Sequence, residues 1–340
     1  MKDIGYYALI LIVPLGAILL VLIAVLSSHP GASISFKVEA SKFLNTFIKG
    51  GDPFVLMEHG NLAGLEKLLK RHPEMSRERE SARGCTPLHL APDVDFARLL
   101  LDHGAEIDAV LKFDEITPLH EAISHGRTKV ALFLIDRGAS ISKFDSFNRS
   151  PLHAAALYGN VEVTDALLKK GANPNVCGSK TNDLTPPLEA CAQGTLNVVR
   201  YYYEHGIPFD LTDALFVSLY SPHFTSSGTD ILRTIDVERF LLDTGKVDVN
   251  AQTHRPYKNG ETLLHAAARS YNLEFFRILL ERGADPDKPD ADGKRVIDRI
   301  NSDEYDYFGH RQEERELIVK ILNEFKRDKP SVPSAPKKDN

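Results

Sequence analysis

Histidine recurs in this chain at one fixed place. His89, His120, His153 and His265 each stand three residues after a Thr or Ser, in Thr86-Pro87-Leu88-His89, Thr117-Pro118-Leu119-His120, Ser150-Pro151-Leu152-His153 and Thr262-Leu263-Leu264-His265. Imidazole is the commonest metal ligand and a frequent general base, so the first chemistry to test is a metal or proton-transfer site. Either would need the rings to converge. Intervals of 31 and 33 residues between the first three separate them instead. No H-E-x-x-H or comparable short spacing accompanies them, and G-x-S-x-G, a phosphate loop and Cys-x-x-Cys are all missing from the sequence. Cys85, Cys177 and Cys191 are too few and too scattered for a zinc site or a disulfide framework. They read as free, semi-buried residues, with one disulfide open to them in an oxidising compartment. The expectation is no catalytic residue, no cofactor, no metal and no small-molecule substrate.

The elements that carry these histidines can be read from the same phrase. Thr or Ser before Pro starts a helix: the hydroxyl caps free backbone N–H groups, and Pro at the first helical position loses no hydrogen bond. The phrase returns in altered form at Thr185-Pro186-Pro187-Leu188. From Thr117, Ser150, Thr185 and Thr262 it is 21 residues to Gly138, Gly171, Gly206 and Gly283, each of which ends a run of large apolar residues. Gly104, Gly138, Gly171 and Gly283 are each followed by Ala and supply a left-handed helix stop. Each unit is thus a short helix, a turn and a second helix, unable to bury its apolar face alone.

This period and this phrase, T-P-L-H-x-A followed by a Leu-rich run and Gly-Ala, resemble the ankyrin repeat. The resemblance implies an all-α solenoid of helix-turn-helix units joined by β-hairpin loops. It also implies that Thr86, His89, Thr117, His120, Ser150, His153, Thr262 and His265 form a structural hydrogen-bond network, not a ligand set. The family's variable inner-face slots fall on Ser124 and His125, Leu157 and Tyr158, Ala192 and Gln193, and Arg269 and Ser270. Hairpin tips fall on Phe113, Asp114, Phe144, Phe147, Asn182 and Tyr257. Aromatic and Arg anchors dominate protein interfaces, so His125, Tyr158, Gln193, Arg269, Phe113, Phe144, Phe147 and Tyr257 are the candidate partner contacts.

The repeats are uneven. The first shows only a second half, His59 to Leu69, without the phrase. The second is three residues short around Pro92. The fifth carries Pro187 in a Leu slot and places Tyr201 and Tyr202 in core positions. The sixth has a truncated hairpin before Leu211 and an insertion around Ser221 to Arg233. The seventh has a long hairpin at His254 to Gly260. The last puts Val296-Ile297 in the phrase and ends in a charged-faced cap helix, Glu314 to Phe325.

Outside the repeats, Ile4 to Leu26 is 23 residues without a charge. As a helix it would reach roughly 34 Å, enough for a hydrocarbon core of about 30 Å. A cleaved signal peptide has a shorter core and a small-residue cleavage site, which Ala24-Val25-Leu26 matches poorly. The division is therefore a tail at 1–3, a transmembrane signal-anchor helix at 4–26, a linker at 27–39, the repeat domain at 40–325 with about seven to eight repeats, and a disordered tail at 326–340. Ala40 to Ile48 reads as a cap on the first repeat, with a membrane-lying segment as its rival. Flanking charges are nearly balanced, and the short Met-Lys tail, like a bacterial N-in anchor, tips the reading towards repeats outside the cytoplasm. Hydrophobic content of 43%, a net charge of -6 and a pI near 6.1 fit a folded chain with no nucleic-acid partner. The function expected is a single-pass, membrane-tethered protein-binding scaffold without catalysis. The alternative is a regulatory or inhibitory subunit masking a partner enzyme.

Overall fold

The computed structural model describes residues 51–80, 82–178, 183–220, 231–255, 260–302 and 312–328. The apolar segment 4–26, the linker, the expected cap at 40–48, Asn182, most of the insertion after Tyr220 and Tyr257 lie outside them. Among the described residues, no helix is long and apolar enough to cross a membrane. Contacts divide the chain into two compact units, 1–154 with 165–172, and 155–164 with 173–340.

The first unit opens with a helix the sequence reading left out. Asp52 caps α1 (Pro53–Glu58) by accepting from Phe54 N–H at 2.8 Å. Asp-Pro thus does the work that Thr-Pro does elsewhere, because any short oxygen-bearing side chain can cap. After α2 (Leu62–Arg71) comes a 3-10 turn, Pro73–Arg77, and then α3 (Pro87–Leu90), which has only four residues. This is the three-residue deletion around Pro92. The unit continues with α4 (Val94–Asp102), α5 (Pro118–Ser124) and α6 (Thr128–Asp136). First helices α1, α3 and α5 pack side by side, and second helices α2, α4 and α6 form the other layer. Between them Leu65, Leu69, Leu88, Leu100, Leu119, Ile123 and Leu134 are fully buried. Each such side chain contributes roughly 2 kcal/mol of transfer free energy.

Helices α7 (Pro151–Leu157) and α8 (Val161–Lys169) follow, and the division between the units passes through both. The second unit has α9 (Pro186–Gln193), α10 (Leu196–Glu204), α11 (Leu211–Tyr220), α12 (Ile231–Asp243), α13 (Leu263–Arg269), α14 (Leu273–Glu281), α15 (Val296–Asn301) and α16 (Gln312–Asp328). The same two layers recur: α9, α11, α13 and α15 in one, α10, α12, α14 and α16 in the other. Tyr202 is fully buried, as its core slot requires. Tyr201 is only half-buried and stacks on His205, ring centres 4.0 Å apart. The final helix passes the expected boundary at 326 and runs to Asp328. Lys326 and Arg327 in its last turn complement the helix dipole, and Lys326 Nζ lies 2.7 Å from Asp287 Oδ1.

The loops between units are turns more than hairpins. Among the described residues they carry only isolated antiparallel bridges, Gly178 to Leu184 and Gln252 to Thr262. Side chains close them instead. Asp145 Oδ1 accepts from Phe147 N–H at 3.0 Å and from Arg149 N–H at 2.8 Å, around Asn148 at φ 61°. Asp290 repeats this with Asp292 and Lys294 around Gly293 at φ 73°. Asn and Gly tolerate that left-handed backbone.

Candidate protein-binding surface

The histidines are consumed by the fold. Thr117 Oγ1 lies 2.9 Å from His120 Nδ1, and the Thr117 N–H points at the same nitrogen. The other ring nitrogen, Nε2, is 3.2 Å from the Arg149 carbonyl, just before the next repeat's Ser150. His89 repeats the arrangement with Thr86 and the Ile116 carbonyl at 3.1 Å, and His265 with Thr262 and the Lys294 carbonyl at 3.1 Å. The Ser150 hydroxyl sits 2.9 Å from His153 Nδ1. A carbonyl can only accept, so Nε2 carries the hydrogen, and Nδ1 accepts from Thr or Ser. No lone pair is left for a metal. Burial lowers the proton affinity of His89, His120 and His265, and for His89 the value falls to about 4. Such rings are neutral at pH 7 and unsuited to proton transfer there.

Cys85 and Cys191 are buried thiols and Cys177 is exposed. Burial pushes the Cys85 and Cys191 thiols up. Among the described residues, no group of three His, Cys, Asp or Glu side chains could hold a metal ion.

The expected contact residues divide three ways. Phe113 and Phe147 are 67% and 56% exposed, on loops joined by the Ser146 N–H donating to the Asp114 carbonyl at 2.9 Å. Lys112 Nζ lies 5.4 Å from the Phe113 ring centre, and the Arg149 guanidinium 4.8 Å from that of Phe147. Two exposed phenyl rings beside cations thus sit on neighbouring loops of the first unit. His125 is exposed in the same unit, its Nδ1 donating to the Glu121 carbonyl at 2.9 Å. Phe144 is half-buried and does not join the pair.

In the second unit Tyr158 is 53% exposed and Gln193 half-buried. Their turns are tied together: Thr195 Oγ1 donates to the Ala156 carbonyl and Asn197 Nδ2 to the Gly159 carbonyl, both at 2.8 Å. Arg269 is half-buried and has partners within the chain. Its guanidinium lies 4.1 Å from the Tyr220 ring centre, with Nε 3.3 Å from Glu261 Oε2. Tyr220 in turn donates its hydroxyl to Glu261 at 2.5 Å. The side chain is held within its own unit, because the phenol ending α11 lies against it.

Several polar groups escaped the sequence reading. Arg127 reaches back to the shortened α3, donating from Nη2 to the His89 carbonyl at 2.9 Å and from Nη1 to the Ala91 carbonyl at 3.0 Å. Arg255 grips Asp213 through Nε and Nη2, at 2.5 and 2.8 Å. Arg299 donates to the fully buried Asp290 at 2.7 Å. Glu238 is fully buried in a slot where the other repeats have an uncharged residue. The first three partners lie between 9 and 42 residues away, beyond any local pattern. Glu238 did leave a signal, since an acidic residue on an apolar stripe is a local conflict.

Comparison with known proteins now settles the family. A model of three ankyrin repeats matches residues 54–145, and a single-repeat model matches 147–179 and 259–291. This chain belongs to the ankyrin repeat family. It is 33% identical over 179 residues to NF-kappa-B inhibitor alpha of Gallus gallus, covering 52% of this chain and 54% of that protein. It is 25% identical over 272 residues to Ankyrin repeat protein nuc-2 of Neurospora crassa, covering 67% of this chain but 24% of that protein. The chain therefore spans about half of one relative and a quarter of the other. The crystal structure of the human ASB11 ankyrin repeat domain shares the fold, with a TM-score of 0.52 and 21% identity over 70% of this chain and 98% of that one. The ankyrin family places this chain among protein-interaction modules.

Proposed function

We propose that this ankyrin repeat protein is a membrane-tethered scaffold that binds another protein and has no catalysis of its own. The observation that carries the reading is the pair Phe113 and Phe147, both largely exposed on adjoining loops, while the recurring histidines are spent on structure. Large exposed aromatics beside cations are the usual anchors of an interface. The charge-free run from Ile4 to Leu26 supports the tether. Confinement to a membrane would raise the effective concentration of the repeats towards a membrane partner.

The test is a pull-down from solubilised membranes with three forms of the chain: full-length, Phe113→Ala/Phe147→Ala, and one lacking residues 1–30. Loss of the captured protein in the double variant supports the surface. Equal recovery with and without residues 1–30 removes the tether from the reading. Substrate turnover by a 33–326 fragment would end the non-catalytic reading. A regulatory subunit that masks an enzyme is the second reading, favoured by the likeness to a protein named as an inhibitor.

A further inference from the structure

Glu238 stands seven residues before Gly245. The same slot holds Ala97, Ala131, Thr164, Val199 and Phe276 before the corresponding glycines of other repeats, all without a charge. All of these side chains are fully buried, and so is Glu238. A carboxylate enclosed in this way needs a cation or a complete set of donors. Among the described residues, the largest interactions that act on Glu238 come from Ser218 on α11, Thr234 on α12, Asn272 at the start of α14 and Glu274, and none of these is a cation.

Hydrogen-bond geometry indicates where a proton sits. Asn272 Oδ1 accepts from Phe275 N–H at 3.0 Å, which fixes the amide and turns its NH2 to Glu238 Oε2, also at 3.0 Å. The Ser218 hydroxyl has one hydrogen and two candidate acceptors, the Leu215 carbonyl at 2.8 Å and Glu238 Oε1 at 3.3 Å. The shorter contact takes the hydrogen. Ser218 Oγ then offers Oε1 a lone pair, which suits a carboxyl that carries hydrogen there.

The remaining ionisable groups on the elements packed against α12 do not reverse this. On α9 they are Glu189 and Cys191, both buried. On α11 they are Asp213, paired with Arg255, and Tyr220, bonded to Glu261. On α10, Arg200 and Tyr203 lie against the Phe240 ring, Tyr201 stacks on His205, Tyr202 is buried and Glu204 is exposed. On α14, Glu274 opposes ionisation of Glu238 and is itself paired with Arg239 of α12, while Arg277 and Glu281 are exposed. Burial foremost pushes the Glu238 carboxyl up to about 7.

We propose that Glu238 is a proton-operated latch in the second unit, joining α11, α12 and α14 when protonated and loosening α11 when ionised. On ionisation the Oε1 proton leaves to solvent. The Ser218 hydroxyl must then turn from Leu215 to the new carboxylate, and a buried anion remains without a cation. Helix α11 ends at Tyr220, which contacts Glu261 and Arg269, so loosening reaches the inner-face slot of the seventh repeat. The latch holds below neutral pH and slackens above it.

The test is hydrogen–deuterium exchange on the full-length chain at pH 6 and pH 8, corrected for intrinsic exchange. A midpoint near 7 shifts the protonated fraction so that opening of α11 rises about tenfold between these two pH values. Glu238→Gln should keep α11 protected at both. Equal protection of wild-type α11 at both pH values overturns the latch, as does a Glu238→Gln chain that keeps the wild-type pH dependence. Should Glu238→Gln fail to fold, carbon NMR titration of the wild-type Glu238 carboxyl decides. A midpoint near 7 supports the latch, and one in the ordinary carboxylate range overturns it.

Discussion

His120 Nε2 donates to the carbonyl oxygen of Arg149 at 3.2 Å, across 29 residues of sequence. The bond runs from one repeat to the residue that precedes the next repeat's helix cap. Its partner at Nδ1, Thr117, belongs to the same phrase. One ring thus closes its own helix start and anchors the following one. His120→Ala removes both bonds, leaves the Arg149 carbonyl with the Asp145 N–H alone and opens a cavity, so a loss of about 3 kcal/mol is expected in urea denaturation. Unchanged stability would show that the ring fills space and ties nothing.

The same burial makes the stack sensitive to acid. The folded proton affinities of His89, His120 and His265 lie below the ordinary histidine value of 6.5. Above pH 6.5 these rings are neutral in folded and unfolded chains alike. Below it the unfolded chain takes up protons that the folded one refuses, so stability falls as pH drops towards about 4, the value for His89. Glu238 acts with the opposite sign: its contribution is present at low pH and is lost as pH rises to about 7. Urea midpoints should therefore be measured in a Glu238→Gln background between pH 7.5 and 5. A steady decline is expected, and a flat profile would count against neutral buried rings.

Arg127 shows what a shortened helix requires. With α3 cut to four residues, the carbonyls of His89 and Ala91 lack helical partners, and the Arg127 guanidinium supplies donors to both. Arg127→Ala should lower stability by about 2 kcal/mol, with Arg127→Lys recovering part of it, since an ammonium cannot reproduce the planar fork. Thermal melts of both variants check the order. An Arg127→Lys chain that melts with the wild type would mean that the fork geometry is irrelevant.

The phrase, the glycine stops and the leucine runs exposed the repeat fold because each is a local device, complete within one repeat. Asp52-Pro53 was missed because the reading demanded Thr or Ser where the physics needs only a short acceptor. The exposed loop aromatics Phe113 and Phe147 were legible from register alone. Arg269 was not, because its fate depends on Tyr220, 49 positions earlier in the sequence. A slot's register says where a side chain starts, while partners from distant repeats decide whether it stays available. For the same reason Arg127 and Asp290 could not be assigned roles before their carbonyl and guanidinium partners were placed.

Tyr202 occupies a slot that other repeats fill with Leu100, Leu134, Leu167, Leu241 and Leu279. The side chain is fully buried and its hydroxyl has no hydrogen-bond partner. A buried donor without an acceptor costs about 1–3 kcal/mol, so Tyr202→Phe should be neutral or stabilising by about 1 kcal/mol. Calorimetry of the two chains reads the sign directly. A clear loss of stability would place an acceptor, such as an ordered water, beside that hydroxyl.

The anchor pair and Arg269 make opposite demands on an alanine scan. Phe113 and Phe147 are mostly exposed, so Phe113→Ala and Phe147→Ala should each change stability by less than about 0.5 kcal/mol. Arg269 is held by Tyr220 and Glu261, so Arg269→Ala should destabilise by about 1–2 kcal/mol through lost packing and a carboxylate left without its cation. Partner affinity should move the other way. Truncating a true anchor weakens binding by more than about 1 kcal/mol, or several-fold in Kd, whereas Arg269→Ala should change Kd little at temperatures where the variant stays folded. Melting curves and immobilised-partner titrations on the same preparations give both readings. If Arg269→Ala abolishes binding while the phenylalanine variants bind normally, the contact surface lies on the inner face of the second unit and not on the loops of the first.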